Sequence, residues 1–106
     1  MEQLKRELRE RYISTYNECK KFGYKPRIFL DMTVSNRDIV ETTRKLIHKP
    51  TTGFSTLHKK GRMDLSVEKI ILEPKFRELF ARADLQAAYN SLKERGYPQL
   101  DQIEAP

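Results

Sequence analysis

Residues 34–50 have the sequence VSNRDIVETTRKLIHKP, and the spacing of their apolar side chains indicates the fold class. These side chains recur at positions i, i+1, i+4, i+7 and i+8, which places them on one face of a helix. Ser35 is a candidate N-cap, Asp38 follows three residues later, and Val34 is placed to form a hydrophobic staple. Proline at the end of the segment stops the helix. The inward-facing residues are Ile39, Val40, Thr43, Leu46 and Ile47.

Helical spacing continues on both sides of this segment. A long helix is expected over residues 2–22, ended by Gly23, and a short one over residues 27–32. Further helices are expected at 52–60, from an Asp64 or Ser66 cap, and from Asp84 to Gly96. Pro74 either breaks the helix that begins at the Asp64 or Ser66 cap or starts another helix. The apolar side chains of that further helix would be Phe76, Leu79 and Phe80. The sequence predicts an all-α, compact single domain of five to six helices over residues 1–97, with a loose tail at 98–106.

Length and composition exclude several classes of protein. The chain has 106 residues, of which 38% are hydrophobic, enough for one modest core. No run approaches the roughly 18 apolar residues of a membrane span, and the first residues lack the apolar region of a secretory signal. The single cysteine, Cys19, cannot form an internal disulfide or a zinc site, and its helical position favours burial. We therefore expect a cytoplasmic protein without a membrane partner, a metal or a cofactor.

Positive charge is concentrated in the middle of the chain. The net charge is +6, from 21 Lys or Arg against 15 Asp or Glu, and residues 42–63 contain no acid. Lysine, arginine, hydroxyl groups and free backbone N–H groups are the usual contacts to phosphate. The sequence predicts a basic face that binds nucleic-acid phosphates or an acidic partner, against the simpler interpretation of a solvated basic surface. Its candidate residues are Arg44, Lys45, Lys49, Thr51, Thr52, Gly53, Lys59, Lys60 and Arg62.

Two sharper functions have weaker support. Two helices joined by a short turn resemble a helix-turn-helix, whose reading helix would be the two-turn segment at 52–60. Asp64 followed by Glu73-Pro74-Lys75 has the residue order of many metal-dependent nucleases, but that chemistry normally places its carboxylates on adjacent strands. His48 and His58 lie in basic surroundings and are expected to be surface or capping residues. We therefore expect a protein without catalytic residues.

Several strings between about Tyr12 and Tyr97 resemble a small uncharacterised helical module of bacterial and phage-related proteins. The most specific is Gly61-Arg62-Met63-Asp64-Leu65-Ser66-Val67-Glu68, where members of the module have Leu in place of Met63. Members often have a glycine pair where this chain has Ser35-Asn36. The other strings are Tyr24-Lys25-Pro26, Phe29-Leu30-Asp31-Met32, Arg44-Lys45-Leu46-Ile47, Gly53-Phe54-Ser55-Thr56-Leu57, Leu79-Phe80 and Gly96-Tyr97, together with Phe76.

The resemblance implies a setting but no catalytic residues. The module occurs alone or appended to restriction-type proteins, so the context is defence, restriction or a mobile element. The leading hypothesis is a non-enzymatic accessory module that binds nucleic acid. The alternative is a protein-interaction module, such as a phage-encoded inhibitor of a host nuclease or defence complex, with the N-terminal helix as a homodimer interface. Within the specific string, Arg62 is placed to pair with Asp64 or Glu68, as part of a structural corner.

Overall fold

The computed structural model describes residues 2–25, 38–48 and 52–106, without the side chains of residues 52–54. Within these ranges it is all-α and contains no β-strand, which confirms the predicted fold class and the long N-terminal helix. Short 3-10 turns separate or follow the later helices at Met63–Leu65, Arg77–Leu79 and Leu100–Gln102. The α-helices are α1 (Glu2–Lys20), α2 (Ile39–His48), α3 (Thr52–Lys59), α4 (Val67–Ile71) and α5 (Arg82–Glu94).

The short helix α4 lies at the centre of the core. It packs against α5 and α2, and α2 also packs against α1. Ile70 and Ile71 are fully buried, as are Leu8 and Tyr12 of α1. Full burial of such a side chain contributes about 1.5–3 kcal/mol, so a five-residue helix is held by its packing rather than by its propensity. Ser66 caps α4 as predicted, because its hydroxyl accepts the Lys69 N–H at 3.2 Å.

Two predicted helix starts are wrong by a few residues. The helix α2 begins at Ile39, and the Asp38 carboxylate accepts the Val40 N–H at 2.9 Å, so Asp38 is the cap where Ser35 was expected. Ser35 itself and the expected helix at 27–32 lie outside the described residues. The helix α5 begins at Arg82, which places Asp84 in its first turn instead of at its cap.

The residues after α4 differ from a continued helix. The chain leaves α4 at Ile71, before Pro74, and Phe76 and Phe80 are buried on either side of a 3-10 turn. The tail at 98–106, expected to be loose, forms another turn whose Leu100 and Ile103 pack against the core. Both segments use apolar spacing to reach the core without forming an α-helix.

Candidate nucleic-acid interface

Part of the predicted basic face lies against an acid from a distant part of the chain. The Arg44 Nε is 3.0 Å from Asp84 Oδ2, and His48 Nε2 is 2.7 Å from Asp84 Oδ1. Arg44 also pairs with Glu41 on its own helix at 2.7 Å. The window that is free of acids in sequence therefore has carboxylates beside it in the folded chain. Of the predicted cations on α2, Lys45 forms no ion pair with any described carboxylate.

Asp84 is a structural acid that joins α2 to α5. Its side chain is 1% exposed and also accepts the Ala81 N–H at 3.0 Å, which caps α5. Burial on its own would raise the pKa of Asp84, but hydrogen bonds from His48, the Ala81 N–H and Arg44 together lower it. Asp84 is therefore ionised near neutral pH and holds Arg44 and His48 in place. The sequence pattern predicted Asp84 only as a helix cap. It did not predict the long-range pairing of Asp84 with Arg44 and His48.

The remaining described basic residues of the predicted face lie near the end of α3. Lys59 and Lys60 are exposed and form no ion pair with the described acids. Arg62 is held by Asp64, with Nε 3.1 Å from Oδ1 and Nη2 3.3 Å from Oδ2. The same guanidinium lies over the Phe22 ring at 5.7 Å from its centroid. Of the two acids expected to pair with Arg62, the structure selects Asp64.

The two groups of basic residues are separated along α5. Asp84, which holds Arg44 and His48, lies in the first turn of α5, whereas Arg95 follows its last turn. The two positions are roughly 17 Å apart at a rise of about 1.5 Å per residue. His58 and Gly61, at the end of α3, line one cleft with Arg95. The predicted face at 42–63 is thus divided between two places, and Lys49 and Thr51 lie outside the described residues.

A different basic surface forms where the C-terminal ends of α1, α3 and α5 meet. Arg62 joins the end of α3 to Phe22 after α1, and a hydrogen bond between Tyr24 and Thr56 joins the same two segments. The shared cleft joins α3 to α5. We call this surface the basic end. The chain segments that meet there contain the basic residues Lys20, Lys21, Lys25, His58, Lys59, Lys60, Arg62, Lys93 and Arg95.

The basic end contains most of the excess charge of the protein. Residues 18–25, 58–64 and 93–97 hold eight Lys or Arg against three acids, while the whole chain has a net charge of +6. One of the acids, Glu18, is paired with Lys21 at 2.8 Å. Carbonyl groups at helix C-termini carry partial negative charge and favour nearby cations, which explains why these residues are tolerated together.

The cleft at the basic end has a volume of about 470 Å³. Gly61 and Gly96 both adopt φ of +70° there, where the chain turns after α3 and α5. Arg62 N–H donates to the Leu57 carbonyl at 2.9 Å, and Tyr97 N–H donates to the Leu92 carbonyl at 3.0 Å, so both turns close the same way. The cleft is lined by His58, Gly61, Met63, Asp64, Arg95, Gly96, Tyr97, Pro98 and Gln99.

No local sequence pattern predicts this cleft, because its walls come from segments more than thirty positions apart. Repeated helix-ending glycines followed by basic or aromatic residues were the available signal. They predict where helices stop but not which helix ends meet.

The helix that would read DNA in a helix-turn-helix, α3, is short. The helix α3 has eight residues, and its Thr56 is hydrogen-bonded to Tyr24. Ser55 is half-buried, whereas Lys59 and Lys60 are exposed. Of the side chains that the segment 52–60 offers to base edges, which are Ser55, Thr56, Lys59 and Lys60, the two lysines are therefore the exposed ones. They are suited to phosphate rather than to base recognition.

The residues of the nuclease-like arrangement have other partners. Glu73 accepts two hydrogen bonds from Arg11, at 2.8 and 2.6 Å, and lies 3.7 Å from the Lys69 ammonium. Lys75 pairs with Glu7 at 2.9 Å. Across the described parts of the chain, no group of three or more His, Cys, Asp or Glu side chains could hold a metal ion. These contacts join α1 to the segment after α4.

The sequence pattern also did not predict a polar cluster inside the core. The Tyr12 hydroxyl lies 2.8 Å from Thr43 Oγ1, and both residues are buried. Glu68 of α4 is 2% exposed, and burial raises its pKa to about 7. Cys19 is fully buried, as predicted, and burial raises the pKa of its thiol. Tyr12, Thr43 and Glu68 thus lie in the core rather than at a surface site, whereas Cys19 lies near Arg62 and Asp64.

Comparison with known proteins finds no relative. No family model matches the sequence, and no curated protein or solved structure is significantly similar to it. The resemblance to the bacterial and phage module therefore stays a prediction. None of the described helices is both long and apolar enough to cross a membrane.

Proposed function

We propose that the protein is a non-enzymatic accessory module that binds nucleic-acid phosphates, as the sequence led us to expect, with the basic end as its principal contact surface. One observation supports this proposal above the others: the segments at three neighbouring helix ends contain eight Lys or Arg against three acids. A compact patch of like charge raises the local potential and attracts polyanions. Lys59 and Lys60, which form no ion pair with the described acids, are its central residues. The resemblance supplies the setting, a defence, restriction or mobile-element context.

The two arginines of the predicted face contribute differently from the lysines. Arg62 is fixed by Asp64 but keeps part of its guanidinium exposed, so it can contact phosphate from a defined position. Arg44 is neutralised by Asp84 and Glu41 and serves first to join α2 to α5. Lys45, on the exposed side of α2, would contact phosphate only on a nucleic acid long enough to reach beyond the basic end.

The proposal is tested by fluorescence anisotropy with duplex DNA, single-stranded DNA and duplex RNA at several salt concentrations. About five phosphate contacts would give a log–log salt slope of about −4 to −5 on duplex DNA. The double variant K59E/K60E should weaken binding at least tenfold and reduce the slope by about 2. A matched control is R6E/R82E, which makes the same change in net charge near the N-terminal ends of α1 and α5.

The control decides between a local site and a general effect of charge. We expect R6E/R82E to change affinity less than about threefold, because its residues lie more than a Debye length, about 10 Å, from the basic end. Equal losses in both double variants would contradict a site at the basic end. No binding at low salt to any of the three nucleic acids would contradict the function itself and favour the alternative, a protein partner.

A further inference from the structure

We propose that the cleft at the basic end holds one unpaired base of a single-stranded nucleic acid, and that Asp64 selects a base with an exocyclic amino group. The inference rests on the proposed function, because the basic end would bind the phosphates on either side of that base. It names the class of nucleic acid and a specificity that phosphate contacts alone cannot provide.

The size and walls of the cleft suit a flat ring. Its volume of about 470 Å³ falls in the range of small-molecule sites, roughly 300–1,000 Å³. Two of its residues, Gly61 and Gly96, have no side chain, and no described atom lies within 4 Å of where a Cβ would stand on either. A planar group can therefore approach the backbone at both turns. Met63 and Tyr97, which belong to the core, also line the cleft.

The polar groups of the cleft suit the edge of a base. Asp64 accepts two hydrogen bonds from Arg62, so the orientation of its carboxylate is fixed. A carboxylate accepts from the amino group of cytosine, whereas thymine and uracil present a carbonyl oxygen at the same position. Gln99, which accepts a hydrogen bond from the Tyr97 hydroxyl at 3.3 Å, offers an amide for a second contact.

Single strands fit this arrangement better than duplexes. In a duplex the bases are stacked and their Watson–Crick edges are paired, whereas in a single strand a whole base is free to enter a protein cleft. Lys59 and Lys60 lie between two cleft residues, His58 and Gly61, along the chain. A base in the cleft would therefore have unpaired cations beside its neighbouring phosphates. The cations provide affinity and Asp64 provides the choice of base.

The test measures the affinity of the whole protein for three 12-nucleotide single strands of DNA with equal charge. One is all cytosine, one all thymine and one abasic. We expect the cytosine strand to bind about tenfold more tightly than the thymine strand, as one hydrogen bond to a charged group allows. The variant D64N should abolish this preference. D101N, which removes a charge from the exposed Asp101 in the turn Leu100–Gln102, is the matched control and should retain it.

The outcomes distinguish a failure of the proposed base site from a failure of the proposed function. Equal affinity for all three strands would overturn the base site and leave phosphate binding at the basic end intact. A cytosine preference that survives in D64N would overturn the role of Asp64. Failure of all three strands to bind at low salt would overturn the base site, and failure of duplex DNA and duplex RNA to bind as well would overturn the proposed function. Circular dichroism of D64N and D101N verifies their folding, and the comparison of the three strands on the unaltered protein does not depend on any variant.

Discussion

Glu68 places a carboxyl group inside an apolar core, where ionisation is costly. It is 2% exposed, and burial raises its pKa from the ordinary value of 4.5 to about 7. Between these two values the folded protein keeps a proton that the unfolded chain has released. The contribution of Glu68 to stability therefore falls as pH rises from about 4.5 to about 7 and stays constant above that range. The full loss corresponds to roughly 3 kcal/mol.

Replacing Glu68 by glutamine should remove this pH dependence. We expect E68Q to have a flatter stability profile from pH 4.5 to 8 and to exceed the unaltered protein by roughly 3 kcal/mol at pH 8. Urea unfolding at several pH values measures the difference between the two curves, so that other titrating groups cancel. Parallel curves would show that Glu68 ionises in the core without a cost.

At the level of helices, Asp84 fixes how α2 packs against α5. Replacing it by alanine removes the cap contact to Ala81 and the pairing with Arg44 and His48. We expect D84A to lose about 2 kcal/mol in the free energy of unfolding at pH 7. Because the folded pKa of Asp84 is lowered, its stabilisation is complete above the ordinary value of 3.8 and is lost as pH falls below it.

Glu41, the exposed partner of Arg44, provides the control. Glu41 also pairs with Arg44, but its side chain is 58% exposed. We expect E41A to change stability by less than about 0.5 kcal/mol, as is usual for surface ion pairs. Urea unfolding of both variants at pH 7 makes the comparison. Similar losses in D84A and E41A would mean that burial of Asp84 contributes nothing to the contact between α2 and α5.

The helices themselves could largely be predicted, since their signals are local. Glycine after α1, α3 and α5 and the Ser66 cap are read within a few neighbouring residues. The contact between Arg44 and Asp84 joins residues 40 positions apart, and no local pattern encodes it. The predicted basic face therefore contained cations that belong together in sequence but not in the fold. The cleft and the basic end depend on which helix ends meet in the folded chain, so no local pattern predicts them.

At the scale of the whole molecule, the C-terminal segment completes the core. Leu100 and Ile103 pack against it, and the Arg77 Nη2 donates to the Glu104 carbonyl. Pro98 and Gln99 of the same segment line the cleft at the basic end. Residues 98–106 thus connect stability to the shape of the cleft. The sequence suggested a loose tail because the segment is terminal and mostly polar.

The double variant L100A/I103A tests this connection. Each side chain is partly buried, so we expect a combined loss of about 2 kcal/mol in the free energy of unfolding, measured by urea denaturation. The control Q102A alters an exposed residue of the same turn and should change stability by less than about 0.5 kcal/mol. A segment without structural contacts would leave all three proteins equally stable. Because Leu100 directly follows the cleft residues Pro98 and Gln99, the destabilised variant should also lose part of its preference for cytosine strands, whereas Q102A should keep it.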